Sequence, residues 1–414
     1  MKIAGFRTVR IADIAEVKGG KRLPAKANLV TTPTSHPYIR GRDIRDGKIT
    51  FDDPMYVLDE DFEKIRRYTI DSGDVCITIV GNIGDVGITP PHLHRANLTE
   101  NAVKLVNLRE DFDGRFLMYA LLTPDAQSQM KLSAAGAAQP KLGIYKVNEI
   151  KIPGPPNLLQ KRIAGILSAY DELMENSQRR IRILEAMSRG LYREWFVHFL
   201  FPGHEKVPLI ASPLGDIPKG WEVKTVADSF EISGGGTPSR KEPEYWEGGT
   251  IQWFVPSDLT GAGTMFMDDS TDHITECGLA ESSARLFSAR SVMLTSRATI
   301  GAIAINTHEA CTNQGFITCI PNERVPLHFL FYWVTENVPT FQRLASGATF
   351  KEISRGVFKT IEFIQPPAKL VRRFEGSVIP MAEQILTLQR QIQNLRRTRD
   401  LLLPRLLSGQ IELN

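Results

Sequence analysis

The chain has 414 residues, 42% of them apolar and 23% charged, with a formal net charge of +3. That profile belongs to an ordinary globular protein with room for two to four domains and argues against a disordered chain. No apolar run reaches the roughly 18 residues that span a bilayer, and Met1 to Arg10 lacks the apolar core of a signal peptide, so the cytoplasm is the expected compartment.

Reading from the start, Gly19-Gly20 marks a turn, and Asp74 to Val80, rich in β-branched residues and closed by Gly81, reads as a strand. Phe116 to Gln129 carries apolar residues at helical spacing, which predicts one short helix. Cys76, Cys277, Cys311 and Cys319 form no Cys-x-x-Cys pair and are expected to be reduced structural residues; the eight histidines show no metal-binding spacing.

After Pro153-Gly154-Pro155-Pro156 the pattern changes. Ile163, Tyr170, Ser177, Leu184 and Leu191 interleave with Leu167, Met174, Ile181, Ser188 and Trp195 in a seven-residue repeat, eight of the ten being apolar. A heptad pattern of this length predicts a helix of about 40 residues, roughly 60 Å long. Phe201-Pro202-Gly203 to Trp221, with Pro202, Pro208, Pro213 and Pro218, reads as an extended and partly ordered linker.

Beyond Trp221 the same order returns. Asp13, Val17, Gly19, Gly20 and Lys26 recur 215 positions later as Asp228, Ile232, Gly234, Gly235 and Lys241. Val75, Thr78 and Gly84 match Val292, Thr295 and Gly301; Phe116, Leu117, Tyr119 and Gln129 match Phe329, Leu330, Tyr332 and Gln342. Adding 211 to the first heptad set gives Phe374, Met381, Leu388, Leu395 and Leu402 with Val378, Ile385, Ile392, Arg399 and Leu406, nine of ten apolar. Two heptad helices in one register are material for an intramolecular coiled coil. Pro404 and Ser408-Gly409 are expected to end the second helix, and Ile411-Glu412-Leu413 reads as a closing strand. The expected class is α+β: two mixed α/β domains in pseudo-twofold repeat, separated by two long antiparallel coiled-coil helices.

Several motifs in this duplicated frame carry a resemblance: Gly234-Gly235-Gly236-Thr237-Pro238-Ser239 followed by Tyr245-Trp246 and Gly248-Gly249, Arg297-Ala298-Thr299-Ile300-Gly301, and Asn313-Gln314-Gly315-Phe316. Leu191-Tyr192-Arg193-Glu194-Trp195-Phe196, Leu214 to Trp221 and Leu403-Pro404-Arg405-Leu406-Leu407-Ser408-Gly409 belong to the same set. Together they make the chain resemble the specificity subunits of Type I restriction-modification systems. The family often has Pro-Pro-Leu-x-Glu-Gln at each helix start; here the counterparts are Pro155-Pro156-Asn157-Leu158-Leu159-Gln160 and Pro366-Pro367-Ala368-Lys369-Leu370-Val371, the second without its glutamine.

The resemblance implies target-recognition domain 1 at 1–155, spacer helix 1 at 156–200, a linker at 201–221, target-recognition domain 2 at 222–367, and spacer helix 2 with the C-terminal tail at 368–414. It implies a non-catalytic DNA-binding subunit whose two domains each read one half of a bipartite site across a gap fixed by the helices. The implied partners are double-stranded DNA, two modification subunits that bind S-adenosylmethionine, and ATP-driven, magnesium-dependent restriction subunits; no cofactor is expected on this chain.

A search for catalytic chemistry agrees. Adenine methylation needs an Asn/Asp-Pro-Pro-aromatic segment, and Gln365-Pro366-Pro367-Ala368 lacks both its ends; Gly234 to Lys241 lacks the Gly-Lys-Ser/Thr of a phosphate loop. Asp216 with Glu222-Val223-Lys224 faintly matches nuclease carboxylates, but acid-x-Lys triplets recur at Glu16-Val17-Lys18 and Glu149-Ile150-Lys151. A coiled-coil structural protein without a DNA role is the rival from another class.

DNA reading needs cations for phosphates and paired hydrogen-bonding groups for base edges. Loops where the copies diverge are the expected places: Lys21, Arg22, Arg40, Arg42, Gln139, Lys141 and Tyr145 in the first copy, and Ser239, Arg240, Lys241, Arg297, Lys351 and Arg355 in the second. The bland alternative for each is a solvated surface group. Asn313-Gln314 is either an adenine reader or a turn stabiliser, and the matched aromatics Tyr38 and Trp253, or Tyr119 and Tyr332, read as core. The arginines of the long helices, from Arg179 to Arg193 and from Arg390 to Arg405, read as a solvated face with intrahelical ion pairs. Ile166, Leu173, Ile183, Leu401 and Leu403 lie off the heptad and are candidates for partner contact.

Overall fold

The computed structural model describes residues 7–135, 140–347, 349–411 and 413. It divides into two units, Met1–Met174 with Asn394–Asn414, and Glu175–Gln393. Each unit is built on the same plan.

In unit 1, strand Arg7–Arg10 pairs antiparallel with Lys151–Gly154, tying the two ends of the head together. A six-stranded sheet follows in the order Glu16–Gly19, Ala102–Val106, Val75–Thr78, Val86–Ile88, Gly47–Ile49, Ile44–Arg45. Tyr38–Ile39 and Asn97–Leu98 form a separate parallel pair. The strand expected at 74–80 is present as Val75–Thr78, all four residues buried.

Unit 2 repeats this. Glu222–Thr225 pairs antiparallel with Glu362–Gln365, and a five-stranded sheet runs Glu231–Gly234, Phe316–Ile320, Val292–Thr295, Ile303–Asn306, Phe266–Met267. Ile251–Phe254 lies parallel to Ala310–Thr312, as Tyr38–Ile39 lies to Asn97–Leu98.

Where one short helix per copy was expected, there are two: Gly114–Leu121 and Pro124–Ala134 in unit 1, Leu327–Glu336 and Val338–Leu344 in unit 2. Proline causes the break. It has no amide hydrogen to continue the ladder, so Pro124 restarts the chain as the first residue of a new helix capped by Thr123, and Pro339 sits in the first turn of its helix.

The long helices are Asn157–Tyr192 and Ala368–Leu407. All twenty heptad positions are buried or half-buried. Within unit 1, Ile163 and Leu167 share a core with Leu403, Leu406 and Leu407, and Asp171 pairs with Arg399, so the two helix segments run antiparallel. Within unit 2 the same follows from Ser188 against Met381 and Tyr192 against Phe374. The first helix ends in a widened turn, Arg193–Val197, where the amide of His198 donates to the carbonyl of Arg193. That turn lets Trp195 and Phe196 both enter an aromatic core with Phe329 and Phe374.

Four expectations need correcting. The second helix passes through Pro404 and ends at Leu407, because a proline inside the last turn leaves unpaired a carbonyl close to where pairing ceases anyway; Gly409, with φ of +73°, closes it. Neither Ile411 nor Leu413 is in a strand, and Glu412 lies outside the described residues. The segment 201–221 is not simply extended: Leu209–Ser212 and Gly215–Pro218 form a hairpin, and Phe201, Ile217 and Trp221 are buried in the core of unit 2. Of the helix arginines, Arg189 binds Glu336 and Arg390 binds Asp268, acids outside the long helices, while Arg399 binds Asp171 of the other long helix.

Leu403 is buried in the core of unit 1 and Ile166 packs half-buried against it, so neither is open to a partner, whereas Leu173, Ile183 and Leu401 are exposed. Cys76, Cys311 and Cys319 are buried, burial pushing the first two thiols up to about 12, while Cys277 is exposed. No helix among the described residues is long and apolar enough to cross a membrane.

Candidate nucleic-acid interface

In unit 1 the divergent loops gather at one edge of the six-stranded sheet. Gly20 lies so close to the neighbouring loop that a Cβ there would stand 2.0 Å from the carbonyl oxygen of Thr99. Only glycine fits this approach. The amide of Lys21 donates to the Leu98 carbonyl at 2.9 Å, and the Tyr38 hydroxyl donates to the Lys21 carbonyl at 3.2 Å. The Ile79 amide donates to the Asn101 carbonyl, and Lys141 bridges to Val80, which brings loops 79–80, 98–101 and 140–142 together.

Unit 2 builds the same edge. A Cβ on Gly235 would stand 2.1 Å from the Asn313 carbonyl oxygen, Gly236 donates its amide to the Thr312 carbonyl, and Trp253 Nε1 donates to the Gly236 carbonyl at 2.9 Å. The Ser296 amide donates to the Gly315 carbonyl, Arg297 bridges to Glu352, and the Ala298 amide donates to the Lys351 carbonyl. The matched aromatics Tyr38 and Trp253 are buried, and each uses its one polar hydrogen to hold the same carbonyl of the glycine loop.

The expected residues fare differently. Lys21 is exposed, its Nζ 5.6 Å from the Tyr68 ring centre; Lys141 and Tyr145 are exposed; Gln139 lies outside the described residues. Arg22 is 82% exposed and its Nε donates to Glu100 at 2.8 Å. Burial pushes the Glu100 carboxyl up, but hydrogen bonds from Arg22, its own backbone and Thr99 together hold it below the usual range. Arg40 departs from expectation: it is largely buried and its guanidinium is committed to Asp43 and Asp53, so it is a clamp for the loop. Arg42 is exposed and also pairs with Asp53.

In unit 2, Ser239 turns the loop, its hydroxyl accepting from the Lys241 amide and its carbonyl from Trp246 Nε1. Arg240 lies flat on Trp246, 3.6 Å from the ring centre, and pairs with Asp272. Lys241 and Lys351 are exposed, Arg297 stands 3.8 Å from Glu352, and the Arg355 guanidinium lies against Gly234. Asn313 stabilises the turn, accepting from the Gly315 amide at 2.9 Å, while Gln314 is exposed and accepts from Thr237 Oγ1 at 2.5 Å. Glu100 went unnoticed in the sequence and Thr237 stood only within a family motif, because their roles come from contacts between segments far apart in the chain; Trp246, also only in a motif, acts locally by covering Arg240.

No group of three or more His, Cys, Asp or Glu among the described residues is placed to hold a metal. Glu222 and Lys224 pair with each other along their strand.

The profile of the family described as "Type I restriction modification DNA specificity domain" matches residues 4–186 and 218–370, one match to each copy. The chain belongs to this family. It is a non-catalytic specificity subunit of a Type I restriction-modification system, and members of such systems assemble with other subunits. The MjaIX Type I restriction enzyme specificity subunit of Methanocaldococcus jannaschii is 38% identical over 155 residues, a match spanning 37% of this chain and 36% of that protein. The putative MjaX specificity subunit of the same organism is 23% identical over 97% of this chain and 92% of its own length. The crystal structure of a Type I restriction-modification S subunit from M. genitalium shares the fold, with a TM-score of 0.60, 17% identity, and coverage of 99% of this chain and 97% of that one.

Each edge combines charge with hydrogen-bonding capacity. Exposed lysines supply charge, and hydrogen-bonding side chains stand on loops held by backbone contacts.

Proposed function

We propose that the chain directs a Type I restriction-modification complex to an asymmetric bipartite DNA target, each head reading one half. The heads are assigned to 1–155 and 222–367, and the segments 156–200 and 368–414 act as the spacer that sets the gap. The observation that carries this reading is the repeated edge: two family matches, each containing a glycine loop pinned against the strand beside it and bearing different side chains in each copy. Different side chains on one scaffold make the two half-sites different.

The DNA-contacting set is Lys21, Arg22, Arg42, Lys141 and Tyr145 in unit 1, and Ser239, Arg240, Lys241, Arg297, Lys351 and Arg355 in unit 2. The partners are two modification subunits, which bring S-adenosylmethionine and methylate adenine, and restriction subunits, which bring ATP and magnesium. Leu173, Ile183 and Leu401, exposed on the long helices, are available to those partners. The complex works in the cytoplasm, on the genome. Mapping N6-methyladenine across the genome with and without this gene tests the reading: loss of methylation at one split, asymmetric motif is expected, and a palindromic motif or an unchanged map overturns it.

A further inference from the structure

The two glycine loops place one pair of side chains at equivalent points of the two edges. Gly20 packs on the carbonyls of Leu98 and Thr99 just as Gly235 packs on those of Thr312 and Asn313. Two residues past each glycine, and one past the carbonyl it faces, side chains are thereby brought face to face: Arg22 with Glu100 in unit 1, and Thr237 with Gln314 in unit 2. The first pair is ionic and the second neutral. Both are bonded through one atom only, leaving the outward end of the longer side chain free.

The free ends decide what they can bind. Arg22 is held through Nε, so Nη1 and Nη2 remain as a two-donor fork, the pattern that matches guanine O6 and N7. Gln314 is held through Oε1, which keeps a second lone pair, while Nε2 is unbound; an acceptor beside a donor matches adenine N6 and N7. Neither pair carries net charge, so neither supplies the charge neutralisation from which phosphate affinity chiefly comes. The exposed lysines nearby, Lys21 and Lys141 in unit 1 and Lys241 and Lys351 in unit 2, are suited to that work.

We infer that Arg22, oriented by Glu100, reads a guanine in one half-site and that Gln314, oriented by Thr237, reads an adenine at the corresponding place in the other. This rests on the bipartite reading proposed above. It assigns base identity to two structurally equivalent residues and makes the glycine contact the device that fixes their height above the loop.

The test expresses Arg22→Ala and Gln314→Ala, each with the partner subunits, in cells lacking the native gene, and maps the methylated motif. Arg22→Ala is expected to relax one guanine in one half-site, discrimination there falling about 10- to 100-fold, the worth of one bidentate pair. Gln314→Ala is expected to relax one adenine in the other half, each variant leaving the opposite half unchanged. Both positions are exposed, so melting temperatures equal to the native protein's serve as the folding control, with Arg22→Lys and Gln314→Glu as variants that keep the bulk. An unchanged motif in both variants overturns the assignment while leaving the bipartite reading intact. Relaxation of a different base, or a uniform loss of binding with a shallower salt dependence, also overturns it. Absence of any split motif with the native chain overturns the reading beneath it.

Discussion

At Gly235, and equally at Gly20, the missing side chain is what lets the loop lie against its neighbour. Neither has a positive φ, so alanine would suit the backbone; the obstacle is the carbonyl about 2 Å from where its Cβ would go. Gly235→Ala is expected to push the loop off its strand, separating Thr237 from Gln314 and lowering the melting temperature of unit 2. The methylation map should then lose one half-site's stringency, which thermal unfolding and sequencing together would check. The sequence showed these glycines as a repeated turn but not as a close approach, because the partner loop lies far along the chain. It also left the second copy's missing glutamine unexplained. In unit 1, Gln160 Oε1 accepts from the Asp113 amide. The counterpart of Asp113 is Pro326, which has no amide hydrogen, so Val371 stands where no acceptor is needed and Glu375, one turn later, receives the Phe329 amide instead.

Among the elements, the long helices were the most legible, since a seven-residue period survives whatever the heads do. What the period concealed is that two of its three polar exceptions, Ser188 and Arg399, are counterparts 211 positions apart. In unit 1, Tyr119 Oη donates to Asp171, which also binds Arg399 at 2.6 Å, all three being largely buried. In unit 2 the matching positions are Tyr332, Ala382 and Ser188. Arg399→Ser alone strands a carboxylate and is expected to cost about 3 kcal/mol, whereas Asp171→Ala with Arg399→Ser, copying unit 2, should recover much of that. A double-mutant cycle by denaturant unfolding measures the difference. The pair between helix and head at Asp268 behaves differently. The hydrogen bond from Arg390 holds its carboxyl below the usual range, so the stability it adds is present above the unfolded value and lost as pH falls through the folded one. Asp268→Asn should therefore lower the melting temperature at pH 6, by the equivalent of no more than about 1 kcal/mol, and by progressively less as pH falls below the usual carboxylate range. The hairpin Leu209–Pro218 was illegible because its strands are short and mostly exposed, giving no alternation to see.

For the whole molecule, the duplication was the clearest message of the sequence, and the two sheets with equivalent edge strands answer to it. The proposed reading surface shows in the sequence only as a set of divergent loops, since divergence does not separate a clamp such as Arg40 from an exposed cation such as Lys141. Replacing Lys21 and Lys141 with alanine is expected to weaken DNA binding equally for all sequences and to reduce the slope of log affinity against log salt by about 2, one unit for each phosphate left without its lysine. Titration of the assembled complex at several salt concentrations measures this.

The hydroxyl that meets Asp171 belongs to a tyrosine present in both copies, whereas the charges it meets lie on the helices alone. A head grafted from the second copy onto the first copy's helix segments would therefore bring its own tyrosine, Tyr332, to the socket that Asp171 and Arg399 form, a joint that belongs to the frame and not to what the head reads.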